Sequence, residues 1–167
     1  GNIGQAREDD LVVNVTLPLD RLWIEHGLIR ATGTWRRTEA TDPATLAPRP
    51  LTQIRPREAD IHFTQDLNGL KSTWGVDGFA PWTETYYRFD EIDTYHWGAY
   101  YVLFFEYKPM PKFSLRTEFA DNSSGGFDRA LAYYAGSRAQ YPSPYLVDSR
   151  AQKLGPTLYV RLRKSFG

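Results

Sequence analysis

The chain has no cysteine in its 167 residues, which excludes disulfide frameworks, thiolate metal sites and cysteine nucleophiles. That absence fits a reducing cytosol or a bacterial envelope equally well. It has no net charge either. Twenty Lys and Arg balance 20 Asp and Glu, so electrostatics make no case for a nucleic acid or an anionic surface as partner. No apolar run approaches the roughly 20 residues that a membrane-crossing helix needs, so any membrane span is expected to be a strand. Helical periodicity is scarce throughout. The opening "GNIGQARE" shows neither an initiator methionine nor a basic-then-apolar leader, which gives the expectation of a mature protein or a piece of a longer one.

Aromatic residues, by contrast, are plentiful at 15%, with 11 Tyr and 5 Trp, and hydrophobic content is 41%. Such a surplus suits either an aromatic-rich β core or a boundary between apolar and wet surroundings. Period-two alternation runs along most of the chain and predicts roughly seven strands. The first covers about 11–17, with Leu11, Val13, Val15 and Leu17 on one face and Asn14 and Thr16 on the other. The second covers about 22–37, where Ile29, Ala31, Gly33 and Trp35 alternate with Arg30, Thr32, Thr34 and Arg36. Residues 38–56 hold four prolines and read as a loop. Strands follow at about 57–66, 70–87, 94–108 and 113–120, with Pro81 expected to bulge the fourth. A stretch from 121 to 155, rich in Gly, Ser, Tyr and Arg, precedes a closing strand in "GPTLYVRLRKSFG".

The connections sort by end. Those after strands one, three and five ("PLDR", "DLNG", "KPMP") are tight; those after two and six are long; the one after four, "RFDEID", is intermediate and charged. Short turns at one end and longer loops at the other are the habit of outer-membrane barrels. The faces are consistent with this. One face of each strand is apolar or aromatic, while the other carries Arg30, Arg36, Asp60, His62, Asp77, Glu106, Arg116, Glu118, Arg161 and Arg163. So many charges could not be buried in a small soluble barrel, since each costs several kcal/mol unless paired. A wide, wet lumen accommodates them, with mutual pairing across strands as their expected role.

The closing "GPTLYVRLRKSF", preceded by "YYAGSR" and "VDSR", resembles the C-terminal end of TonB-dependent outer-membrane receptors. "DLNGLKSTWGVDGF" and "FEYKPMPKFSLRTEFAD" resemble the hairpins before it, so the likeness runs from about 11 to 167. It implies an all-β, antiparallel up-and-down meander forming the C-terminal part of a 22-stranded transmembrane barrel, with the plug domain absent from residues 1–167. It further implies residence in the outer membrane of a Gram-negative bacterium and energy-coupled uptake of a scarce nutrient, for example a ferric siderophore. The partners would be the TonB complex through a missing N-terminal part, the outer-membrane assembly machinery, membrane lipid and a small nutrient ligand. The lumen-facing polar set would be Arg30, Asp60, His62, Asp77, Glu106, Arg116, Glu118 and Arg161, and the assembly signal Leu158, Val160, Leu162 and Phe166. Lys164 and the final Gly167 depart from the pattern; a lysine at that position can snorkel to the interface.

A rival rests on "GTW" at Gly33–Trp35, which matches the Gly-x-Trp signature of lipocalins, soluble ligand carriers of similar size. Those end in a helix after an eight-stranded calyx, whereas this chain ends in a strand. His26, His62 and His96 lie on separate strands without ligand spacing, and no Gly-x-Ser-x-Gly elbow occurs, so no metal, cofactor or covalent chemistry is expected. "FDRALAYYAGSRAQYPSPY" reads either as a recognition surface or as an ordered loop whose tyrosines sit in an interfacial girdle.

Overall fold

The computed structural model describes residues 5–121 and 125–165, and these contain antiparallel strands and no α-helix. The chain makes seven antiparallel passes. β1 (Ala6–Pro18) and β2 (Gly27–Thr41) are the first two; the short β3 (Pro48–Arg49) folds back on the end of β2, and β4 (Arg57–Leu67) is the third. Each later pass is broken in two. The fourth is β5 (Ser72–Phe79) continued by β6 (Trp82–Tyr87), and the fifth is β7 (Glu91–Trp97) continued by β8 (Tyr100–Met110). The sixth is β9 (Phe113–Asp121) and β10 (Phe127–Tyr133), and the seventh is β11 (Leu146–Gln152) and β12 (Thr157–Lys164). Every pass pairs with the next. The main sheet thus runs β1-β2-β4-β5-β8-β9-β12, and a second sheet runs β6-β7-β10-β11. Among the described residues β1 and β12 stand at the two ends of the main sheet and do not pair, so no closed calyx forms.

The breaks correct several sequence expectations, and they have a common cause. The fourth strand is not continuous over 70–87: it stops at Phe79 and resumes at Trp82, because Pro81 cannot donate to the ladder. The fifth is not continuous over 94–108; it is interrupted at Gly98 and Ala99. The stretch 121–155 is not an open loop, since it contains β10 and β11, with Gly125 and Gly126 before one and Gly155 and Pro156 after the other. Proline or glycine therefore stands at the break of all four passes. At that line the fifth and sixth passes approach so closely that a Cβ on Gly98 would lie 1.9 Å from the Gly125 Cα. Only glycine fits there.

Two turns also differ from expectation. Residues 22–26 are not strand. Residues 19–26 form one turn around a 3-10 segment at Asp20–Leu22, where Asp20 Oδ1 accepts from the His26 N–H at 2.9 Å. The charged connection "RFDEID" shrinks to 88–90, because Glu91 already belongs to β7. The contrast between the two ends persists in another form. One end carries the turns 19–26, 68–71 and 111–112; the other carries the loops 42–56 and 134–145 and is lengthened by the whole second sheet.

The register confirms that alternate residues share a face. Leu11, Trp35 and the series Val13, Val15 and Leu17 stand on the same side of the main sheet as Ile61, Val76, Leu103, Phe105, Phe119 and Leu158. Among the described residues no second layer covers this face. Ile61 is 50% exposed and Leu103 and Phe105 are each 43% exposed, although all three lie on interior strands. Among the described residues the buried apolar side chains are Leu19, Ala40, Phe104 and Leu131 alone. The accessible surface, 11571 Å² for 19.2 kDa, exceeds by more than a third the roughly 8,400 Å² of a compact monomer of that mass.

The glycine approach yields a direct test of the break line. Gly98→Ala is expected to destabilise the intact protein by roughly 1–3 kcal/mol, since backbone must move to admit the methyl group. Gly69→Ala, where nothing lies within 4 Å, is expected to stay within about 0.5 kcal/mol of wild type. Equal denaturation midpoints for the two variants would contradict the close approach.

Candidate functional site

All eight polar residues expected to share a face do so, but they form two groups. In the first, Arg30 lies opposite His62, and His62 opposite Asp77, across β2, β4 and β5. The His62 ring is held at both nitrogens. Its Nδ1 is 2.7 Å from Asp77 Oδ1, and its Nε2 is 2.9 Å from Asp60 Oδ2. Phe79 meets the ring edge-on at 5.8 Å and stacks on Tyr100 at 4.4 Å. In the second group Glu106, Arg116 and Arg161 stand in one row across β8, β9 and β12. Arg116 pairs with Glu118 at 2.5 Å and covers the Phe104 ring at 3.9 Å, while Glu106 pairs with Lys108 at 3.0 Å. Pairing thus runs along single strands at i, i+2 as well as across strands, because both neighbours share a face.

The hydrophobic set on β12 is displayed as expected: Leu158, Val160 and Leu162 share one face and are 68%, 65% and 65% exposed. β12 bonds to β9 along one edge. Phe166 lies outside the described residues. The histidines are not brought together. His26 is in the first turn, His62 on β4 and His96 on β7, where its ring bonds Thr83 at 2.9 Å. Among the described residues no group of three or more His, Cys, Asp or Glu could hold a metal ion.

A third cluster, at the loop end, has no counterpart in the sequence reading. Asp42, at the start of the loop after β2, is 2% exposed and accepts from two guanidinium groups. Arg138 Nη2 is 2.6 Å and Arg49 Nε 3.0 Å from Asp42 Oδ2, and the Ala44 N–H donates to Oδ1 at 2.8 Å. Arg138 also donates to the Arg88 carbonyl at 2.9 Å, and Arg49 to the Pro50 carbonyl at 2.8 Å. Three connections are therefore locked together: 42–56, 88–90 and 134–145. Both guanidiniums face Tyr87, Arg49 at 4.7 Å and Arg138 at 5.9 Å from the ring centre. Burial alone would raise the Asp42 carboxyl; the bonds from Arg138 and Ala44 and the charges of Arg138 and Arg49 outweigh it and hold it below 3.8.

The second sheet repeats this design. Arg129 on β10 grips Asp93 on β7 with two bonds of 2.8 Å, and the Tyr95 hydroxyl donates to the same carboxylate at 2.7 Å. Burial would raise the Asp93 carboxyl too, and the Arg129 and Tyr95 bonds bring it below its usual value instead. Beside them an aromatic ladder links Trp82 to Trp97 at 5.0 Å and Trp97 to Phe127 at 4.6 Å. The cluster expected as a recognition loop or girdle thus contributes a strand and one buried arginine, Arg138, with a twelve-residue connection at 134–145. No protein-family model, curated protein or solved structure matches the chain.

The Asp42 cluster sets an acid limit. Its folded carboxyl titrates below the unfolded value, so its contribution is complete above about pH 3.8 and is lost as pH falls through the lower folded value. Asp42→Asn is expected to cost about 3 kcal/mol at neutral pH, because two guanidiniums lose their shared counter-charge. Denaturation followed against pH should then show a shallower loss below pH 3.8 in the variant than in the wild type. Parallel curves would contradict this role.

Proposed function

We propose that the chain is the closing part of an outer-membrane β-barrel, within a TonB-dependent receptor that takes up a scarce nutrient. The observation that carries the reading is the uncovered apolar face of the main sheet, set against a charged face on which His62, Glu106 and Arg116 are paired. In water such a face would associate with whatever it met. Toward lipid it is the stable side, and the charged side then lines a wet interior. No helix among the described residues is long and apolar enough to cross a membrane, so strands would make the crossing. The main-sheet strands run from 8 to 15 residues, against about 9–11 for a tilted membrane strand.

On this reading β1 and β12 pair with the rest of the barrel, because an open edge in hydrocarbon leaves backbone groups unsatisfied. The short-turn end faces the periplasm. The second sheet and the locked loops stand outside the cell, where ligand would be met. The twenty-two strands, the plug, the coupling to TonB and the handling of β12 and Phe166 by the assembly machinery come from the sequence resemblance. No covalent step is assigned to the chain.

The face assignment is tested on β8. Leu103→Arg in the intact protein is expected to cost about 2–4 kcal/mol if it lies near the bilayer midplane, and Glu106→Gln much less. Membrane abundance and denaturant midpoint should both fall for the first variant. Equal tolerance at the two positions would defeat the reading, and greater damage from Glu106→Gln would reverse the faces.

A further inference from the structure

The locked loops form an open-sided cavity of about 480 Å³, lined by Asp42, Arg49, Thr52, Tyr87, Phe89 and Arg138, and also by Arg88. That volume lies within the range of small-molecule sites, roughly 300–1,000 Å³. Its charge is unbalanced. The side chains of Arg49 and Arg138 are 9% and 8% exposed, yet they share the single carboxylate of Asp42. Arg88 does not alter the balance, since it pairs with Glu91. Burying two guanidiniums on one carboxylate is costly unless another anion completes the set. The walls supply the rest of a binding site. Tyr87 presents its ring to both guanidiniums, and Phe89, 63% exposed at the tip of the 88–90 turn, stands at the rim with an apolar face uncovered.

We propose that this cavity binds a small ligand carrying an anionic group, carboxylate or phosphate, on a flat apolar body. The anion completes the Arg49 and Arg138 pair through charge-assisted hydrogen bonds, in which a guanidinium can donate twice. The flat body lies against Tyr87 and Phe89. This deepens the receptor reading by giving the substrate class, and it rests on that reading for the idea that the bound molecule is also the cargo.

The test is calorimetric titration of the intact, detergent-purified protein with benzoate, inorganic phosphate and neutral benzyl alcohol, after its residence in the membrane fraction has been measured. Benzoate is expected to bind saturably, more tightly than phosphate, and benzyl alcohol to give no saturable signal. Arg49→Gln leaves Asp42 and Arg138 as a one-to-one pair, so the fold should persist while benzoate affinity drops about tenfold or more. Phe89→Ala, a change at an exposed side chain, should weaken benzoate and leave phosphate unchanged. Phosphate binding as tightly as benzoate, or benzoate binding insensitive to Phe89→Ala, would overturn the flat body, as expected if lipid phosphate were the natural occupant. Benzyl alcohol matching benzoate, or a folded Arg49→Gln protein with undiminished affinity, would overturn the anion site while leaving membrane residence intact. Benzoate binding with these sensitivities in a protein that is monodisperse in water without detergent would support the site and defeat the barrel.

Discussion

An apolar sheet face has to be removed from water, and in an ordinary domain a second layer does this. Among the described residues the main sheet has no such layer. Its interior strands show Ile61, Leu103 and Phe105 to the outside, and the second sheet continues the same passes rather than folding back over them. Whatever covers that face must come from outside the described residues. The charged face narrows the choice. It is held by ion pairs that tolerate water, such as Glu106 with Lys108 and His62 between Asp60 and Asp77, so it does not ask for an apolar cover. A membrane on one side and an aqueous interior on the other satisfy both faces at once.

The line of prolines and glycines serves the opposite end. Pro81, Gly98, Gly125 with Gly126, and Gly155 with Pro156 interrupt four neighbouring passes at one level, and beyond it the sheet resumes with a different chemistry. There the side chains are tied by ion pairs on buried carboxylates and by edge-on and tilted ring contacts: Asp93 with Arg129, Trp82 with Trp97 and Trp97 with Phe127, Asp42 with Arg49 and Arg138. Removing Asp42 would strand two guanidiniums, and removing Arg129 would strand the Asp93 carboxylate, so these contacts favour one arrangement. Loops anchored in this way present a fixed surface rather than a mobile one, which suits recognition at low entropic cost.

Much of the main sheet was legible in the sequence because side-chain alternation is a local signal. It located seven passes, and it put Arg30, Asp60, His62 and Asp77 on one face together with Glu106, Arg116, Glu118 and Arg161. Alternation does not report a break that preserves it, so β5 and β6 read as one strand, as did β7 and β8. The second sheet was hidden for another reason. β10 and β11 lie in a segment whose Gly, Ser and Tyr content resembles a loop, and their pairing is settled by partners far along the chain. The Asp42 cluster was beyond reach, since Arg138 is 96 residues away and nothing local marks either as buried.

The absence of cysteine from these 167 residues suits the most direct test of the central claim: in the intact protein, with any cysteine elsewhere replaced, each thiol introduced here is unique. A fluorophore would be attached in turn at positions 101 to 106 of β8 in the intact protein, reconstituted into bilayers and quenched by a nitroxide confined to the lipid chains. The account predicts strong quenching at Tyr101, Leu103 and Phe105 and weak quenching at Val102, Phe104 and Glu106, in strict alternation. Uniform quenching along the strand, or access of a water-soluble quencher to the odd positions, would contradict it.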